Sequence, residues 1–329
     1  METVLSGIRP TGKLHLGNYY GAVESFLKLQ DLYNCYFFIA DWHSLTTHPK
    51  PENLRNNNYS ILAEYLACGL DPEKATIYIQ SDVPEVAELY LYLNMNAYLG
   101  ELERVTSFKD KARKQPGNIN AGLLTYPTLM AADIIIHKAN KVPVGKDQEQ
   151  NMEMARKFAR RFNTMYNIDL FPEPESFSLS KKGGVKIPGL DGSGKMGKSE
   201  GNCIFLIDEP STIRNKIMKA VTDSGPTMSN SQKPEVIQNL FTLLNIVSDK
   251  ETCSYFEEKW NNCSIRYGDL KKQLAEDVIK ATEPIRERIK EYNNNYALLN
   301  KISRLGAEKA KENARKTLRE VREIIGFRE

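Results

Sequence analysis

Short apolar runs alternate with helically spaced apolar positions along the first half of the chain. Residues 3–8 (TVLSGI) form the first run and stop at Arg9-Pro10-Thr11-Gly12, where proline and glycine interrupt regular pairing. Tyr20, Val23, Phe26 and Leu27 then recur at helical intervals. Residues 35–40 (CYFFIA), a helical stretch from about 52 to 68 ended by Gly69, and residues 76–80 (TIYIQ) complete the pattern. Strand, helix, strand, helix, strand predicts an α/β fold on a parallel sheet, whose ligands sit at the carboxyl ends of the strands.

Helical spacing over residues 84–114 and 121–138, a short strand at 141–144 and an amphipathic helix over 151–163 predict a helical insertion between two halves of one sheet. Residues 180–201 hold seven glycines among Lys181, Lys182, Lys186, Lys195 and Lys198, which predicts a mobile basic loop. From about Ser211 the pattern is helical only, with breaks expected near Gly225-Pro226, Gly268, residues 293–295 and Gly306. That change of character predicts a second, all-helical domain.

Composition narrows the class of protein. With 329 residues, 41% hydrophobic and 26% charged, the chain can bury a sizeable core. The net charge of +3 argues for neither nucleic acid nor membrane, so an RNA-binding surface must be local. Residues 301–329, with nine basic and five acidic side chains, read first as a solvated helix face. The cysteines at 35, 68, 203, 253 and 263 are dispersed, which predicts reduced thiols and a cytoplasmic protein with no structural metal. The first residues carry no leader pattern, and no run approaches the ~20 apolar residues of a membrane span.

Two segments carry phosphate chemistry. GKLHLGN at 12–18 follows the first strand and opens the first helix, where glycine admits a bulky group and free N–H groups favour an anion. His15 can add a hydrogen bond to a phosphate oxygen. GSGKMGKSEGN at 192–202 sets two lysines three apart in a glycine-rich loop, suited to charge developing on a departing pyrophosphate. A third signal is Asp133 in the apolar run Leu129–Ile136, where an unpartnered carboxylate is costly. It reads either as a paired or solvent-facing helix residue or as an acceptor for a substrate N–H.

With HLGN at 15–18 and KMGKS at 195–199, the chain resembles the class I aminoacyl-tRNA synthetases. SGIRPTGKLHLGNYYGA, ADWHSLTT, GELERVTSFKDK, GLLTYPTLMAADI, VPVGKDQ and AVTDS narrow the resemblance to the tryptophanyl-tRNA synthetases of the bacterial type, over nearly the whole chain. The resemblance implies a Rossmann-type catalytic domain over residues 1–203, with an insertion at about 84–138 as homodimer interface, and a helical anticodon-binding domain over 204–329. It implies tryptophan activation with ATP and transfer to the terminal ribose of tRNA, Mg²⁺ arriving with ATP, and neither an iron–sulfur cluster nor zinc.

Residue by residue, the resemblance places Arg9, Pro10, Thr11, Gly17, Asn18, Gly145, Lys146, Asp147 and Ile187 at ATP, with Lys195, Met196, Gly197, Lys198 and Ser199 as a lid over its phosphates. His15, Lys111, Lys195 and Lys198 are the implied catalytic group. Gly7, His43, Tyr126, Met130, Asp133, Val142, Val144 and Gln148 are the implied tryptophan site. Asn18 replaces the last histidine of the family's HIGH motif, Gly197 replaces the serine of KMSKS, and Arg9 stands where many relatives carry glutamine. The nearest rival is a tyrosyl-tRNA synthetase, disfavoured by the apolar LLTYPTLMAAD segment with its single carboxylate. A small adenylyltransferase and a non-catalytic relative that binds tRNA or tryptophan are disfavoured by the length and by the two intact motifs.

Overall fold

The computed structural model describes residues 1–114, 116–145, 148–177, 187–198 and 200–328, excepting the side chains of Ser107, Lys111 and Lys114. The chain divides into two compact units: Met1–Gly12, Phe26–Gly183 and Asn295–Glu329 form the first, Lys13–Ser25 and Gly184–Asn294 the second.

The first unit is built on strands β1 (Thr3–Ile8), β2 (Asn34–Ile39), β3 (Ala75–Ile79), β4 (Lys141–Pro143) and β5 (Glu175–Phe177). They form one sheet in the order β3-β2-β1-β4-β5, all parallel. In β2, Cys35 through Ile39 are all buried, as expected of an inner parallel strand covered on both faces. The strand order reverses between β1 and β4, so the segments leaving β1, β2, β3 and β4 gather at the edge where such sheets hold ligands.

The connecting helices are α3 (Pro51–Cys68), α4 (Glu85–Met95), α5 (Leu99–Arg104), α6 (Thr106–Lys114), α7 (Ala121–Ile136) and α8 (Glu149–Tyr166), after the short α1 (Leu16–Asn18) and α2 (Glu24–Leu29). Helices α4–α7 lie between β3 and β4 along the chain. Helix α7 starts at Asn120, whose side chain accepts a hydrogen bond from Leu123 N at 2.9 Å. Ala131 through Ile136 are then buried without interruption, as in a helix enclosed on all sides.

The second unit holds α9 (Pro210–Met218), α10 (Glu235–Val247), α11 (Lys250–Asn261) and α12 (Tyr267–Asn293). Trp260 is fully buried and donates from Nε1 to Ser231 O at 2.8 Å. The last helix, α13 (Tyr296–Ile325), belongs to the first unit, so these units do not follow a single cut after residue 203. Its buried Ser303, Gly306, Ala307, Ala310 and Ala314 form a stripe of small side chains, which lets the helix lie closely along the edge strand β3. Covering that edge satisfies a surface that would otherwise recruit another strand. Arg315 to Glu85 at 2.7 Å and Arg322 to Glu88 at 2.6 Å tie α13 to α4.

Two expected helix breaks are not breaks: Gly268 lies in the first turn of α12 and Gly306 lies inside α13. Packing gives the reason at Gly306, where a Cβ would stand 1.9 Å from the carbonyl oxygen of Ile77 in β3. Glycine is the only residue that admits this approach of helix to strand backbone. Gly306→Ala is therefore expected to destabilise the protein by about 1–3 kcal/mol, the usual range for overpacking. Chemical denaturation would read the loss; unchanged stability would mean that α13 does not seat on β3 as described.

Candidate active site

Two segments at the carboxyl end of the sheet, those after β2 and β3, meet Asp133 of α7. The carboxylate is 2% exposed, with Oδ2 2.8 Å from His43 Nε2 and Oδ1 accepting from Gln80 Nε2 at 2.7 Å. His43 comes from the turn Trp42–Thr47 after β2, and Gln80 is the first residue after β3. Burial holds the Asp133 carboxyl above the usual carboxylate range. The hydrogen bonds from His43 and Gln80 act in the other direction, and the nearby Asp41 adds to the upward push. A carboxylate accepts at about four lone-pair positions, so two partners leave room for a ligand N–H.

Of the other residues expected at the amino-acid site, Tyr126 and Val142 are buried, and Met130 and Val144 are half-buried against the core that includes Val142. Tyr126 donates to Asn151 Oδ1 at 3.4 Å, and Asn151 donates to Gln148 Oε1 at 2.8 Å. Two residues expected at the amino-acid site are thus joined through Asn151. Gly7 lies on β1 opposite Phe38, whose ring a Cβ would meet at 2.5 Å. All eight residues expected to bind tryptophan are in the first unit.

The loop after β1 carries Arg9, Pro10 and Thr11. Asn57 of α3 donates to Pro10 O at 3.0 Å, and Thr11 N donates to Arg9 O at 2.8 Å, giving the loop a fixed shape. Arg9 Nε is buried with no hydrogen-bond partner among the described residues, and burial lowers its guanidinium pKa. A half-buried cation with an unused donor is suited to an anionic ligand oxygen.

In the second unit the two phosphate motifs meet. Leu16 N donates to Ile204 O at 2.9 Å and Leu206 N to Leu14 O at 2.9 Å, so residues 14–16 pair antiparallel with the segment just after the lysine loop. His15 is 6% exposed, and its Nδ1 has no hydrogen-bond partner among the described residues. Burial first, then the positive charges of Lys198 and Lys195, push its imidazole down to about 4. It is therefore neutral at pH 7, a hydrogen-bond donor that adds no charge of its own. A Cβ on Gly17 would come within 2.8 Å of the His15 ring and 3.3 Å of Met196 Cβ, so glycine permits this packing. Asn18 Oδ1 accepts from His15 N at 3.1 Å.

The lysine loop is organised by Asn202, which is 4% exposed. Its Oδ1 accepts from Gly197 N at 2.8 Å, and its Nδ2 donates to Asp191 Oδ1 at 2.9 Å, Ser193 Oγ at 2.8 Å and Lys195 O at 3.2 Å. Met196 is buried and donates from N to Ile187 O at 2.8 Å. Lys195 is exposed and Lys198 half-buried, on a loop whose backbone is held at Lys195 O, Met196 N and Gly197 N. Gly145 is exposed and accepts from Gln148 N at 2.9 Å. Lys146, Asp147, Ser199 and the Lys111 side chain lie outside the described residues.

Gln80, Asn151 and Asn202 are the site residues that sequence reasoning missed. Each is an amide that positions another side chain or loop, and no local pattern distinguishes such a residue. Among the described residues no three His, Cys, Asp or Glu side chains converge as a metal site, and no helix is long and apolar enough to cross a membrane.

Residues 2–283 match the family described as tRNA synthetases class I (W and Y). Over 328 residues the chain is 71% identical to the tryptophan–tRNA ligase of Porphyromonas gingivalis, covering 100% of both. It is 41% identical over 329 residues to the tryptophan–tRNA ligase of Clostridium tetani, covering 99% of this chain and 96% of that one. Its fold is similar to the crystal structure of tryptophanyl-tRNA synthetase from Campylobacter jejuni complexed with ADP and tryptophan. The TM-score is 0.89 at 34% identity, covering 99% of this chain and 100% of the other.

Proposed function

The chain belongs to the class I tRNA synthetases for tryptophan and tyrosine, and from that membership we propose how its residues divide the work of one reaction. The activity is that of a tryptophan–tRNA ligase, used in protein synthesis. ATP and L-tryptophan give tryptophanyl-adenylate and pyrophosphate, and the tryptophanyl group then passes to the 3′-terminal ribose of tRNA.

In the first step a carboxylate oxygen of tryptophan attacks the α-phosphorus of ATP and the bond to the β-phosphate breaks, with pyrophosphate leaving. The attacking carboxylate is already ionised, so no general base is needed; position and charge stabilisation are what the enzyme supplies. The loop of Lys195 and Lys198 stabilises negative charge as pyrophosphate departs, and neutral His15 donates to a phosphate oxygen. Arg9 faces an anionic oxygen of either substrate. Lys111, Lys146, Asp147 and Ser199 keep the roles that the family pattern implies, and Mg²⁺ enters as part of the substrate Mg·ATP. Asp133, within Tyr126, Met130, Val142 and Val144, accepts the indole N–H.

Full-length identity to a tryptophan ligase carries the choice of amino acid, and the buried carboxylate in an apolar pocket is its physical counterpart. ATP–pyrophosphate exchange with each of the twenty amino acids tests it. Tryptophan alone should support fast exchange; comparable exchange with tyrosine would overturn the assignment.

The helices of the second unit are the proposed anticodon-binding region. Affinity for tRNA should fall steeply with salt as phosphate contacts release counterions, while tryptophan activation should not. Filter binding and exchange measured over the same salt series would separate the two. The insertion is the proposed homodimer interface, because Leu91, Met95, Tyr98 and Leu99 are 48%, 76%, 64% and 60% exposed on α4 and the start of α5. Met95→Glu with Leu99→Glu should give a monomer in sedimentation equilibrium, and an unchanged mass would remove this face as the interface. The dispersed thiols, of which Cys35, Cys68 and Cys203 are buried, support a reducing, cytoplasmic setting.

A further inference from the structure

Gln80 is fully buried, and both ends of its amide are committed. Nε2 donates to Asp133 Oδ1 at 2.7 Å, and Oε1 accepts from Trp42 N at 3.1 Å. Rotating the amide by half a turn would set an NH₂ against the Trp42 N–H and an oxygen against the carboxylate. The amide therefore has one usable orientation. Trp42 N is itself fixed by a second acceptor, Asp41 Oδ1 at 3.0 Å.

Asp41 is a second buried carboxylate, 5% exposed, that holds the segments after β2 and β3 together. It accepts from Ser81 N at 3.0 Å, Ser81 Oγ at 2.5 Å and Asn58 Nδ2 at 3.3 Å. Gln80 thus stands at the junction of a carboxylate that is saturated by protein donors and one that is not. Among the described residues Asp41 has four donors and Asp133 two, so of this pair it is Asp133 that keeps acceptor positions for a ligand.

We propose that Gln80 is a positioning residue for substrate selection: its locked amide orients the Asp133 carboxylate so that the free lone pairs meet the N–H of an indole-bearing amino acid. This rests on the reading of Asp133 as the indole acceptor. Gln80 has no contact with the reacting atoms; it acts through Asp133. Without its NH₂, Asp133 keeps His43 as its one partner among the described residues, and can turn or take up a proton. A protonated carboxyl presents an O–H where the substrate needs an acceptor.

The test compares tryptophan with β-(3-benzothienyl)alanine, a substrate of nearly the same shape in which sulfur replaces the N–H. Pyrophosphate exchange is measured for both on wild type, Gln80→Met and the milder Gln80→Asn. Wild type should prefer tryptophan. Gln80→Met should lose roughly 10- to 100-fold in kcat/KM for tryptophan, chiefly in KM, the range for one hydrogen bond to a charged group. The sulfur analogue should lose no more than a few-fold, so the preference collapses. Gln80→Asn should fall between, and it carries the comparison if the methionine variant does not fold. Equal losses for both substrates would show a merely structural role and overturn the proposal. An unchanged preference for tryptophan would overturn it while leaving Asp133 as the acceptor. No preference in wild type would overturn the Asp133 reading, and this proposal with it.

Discussion

Asp133→Ala is expected to lower kcat/KM for tryptophan activation by roughly 100-fold or more, because it removes the buried carboxylate proposed to accept a charge-assisted hydrogen bond from the indole. Phenylalanine has no N–H to offer, so in the wild-type site it would leave a desolvated carboxylate short of a partner. Sites built around such a bond reject the analogue lacking it by ~10⁴-fold without editing. The alanine variant should therefore also show a narrower margin of tryptophan over phenylalanine and tyrosine. It leaves Gln80 Nε2, at 2.7 Å from Oδ1, and His43 Nε2, at 2.8 Å from Oδ2, without their acceptor. Asp133→Asn should lose less. Its oxygen can face Gln80 while its amide turns to His43, whose imidazole can present an unprotonated nitrogen. Pyrophosphate exchange with the three amino acids reads both effects, and an alanine variant that kept the wild-type preference would move the indole contact to His43 or Gln148.

Lys195→Ala and Lys198→Ala should each lower the rate of adenylate formation by ~10²-fold, with the KM for tryptophan nearly unchanged, since charge stabilisation matters most as pyrophosphate departs. The structure makes this substitution clean. Asn202 holds the loop through Gly197 N, Lys195 O, Asp191 and Ser193, none of which depends on a lysine side chain. Removing a lysine head therefore leaves the frame intact, and thermal stability should change little. Equal losses in rate and in tryptophan affinity would point to a folding role for the loop instead.

The parts of this molecule that the sequence made legible are those in which one residue pattern has one outcome. Strands buried on both faces need continuous apolar runs, so 3–8, 35–40 and 76–80 could be read to within a residue of β1, β2 and β3. Strand β5 is three residues long and reads ESF, too short and too polar for such a signal. Gly306 illustrates the opposite limit. A lone glycine in a helical stretch reads as a break, and only the carbonyl of Ile77 pressed against it explains why the helix continues. The small residues of α13 announced a buried face without saying that β3 would cover it.

The site divides in the same way. The residues proposed to contact phosphate or indole are unusual in their surroundings: a histidine between glycines, two lysines in a glycine-rich loop, an aspartate in a run of Leu, Met, Ala and Ile. Gln80, at the end of a strand, and Asn202, three residues beyond the KMGKS motif, are ordinary by that measure. The role of Gln80 arises from Asp133, 53 residues on, and that of Asn202 from the way the preceding loop folds back onto its amide.

The proposed contact between Asp133 and the indole is tested directly with tryptophan carrying ¹⁵N at the indole nitrogen, bound to the full-length protein and followed by its N–H resonance. An N–H donating to a buried carboxylate should move well downfield of its position in free tryptophan and exchange slowly with water, and should return upfield in Asp133→Ala. An indole proton that stays at the free position in the wild-type complex would contradict the account.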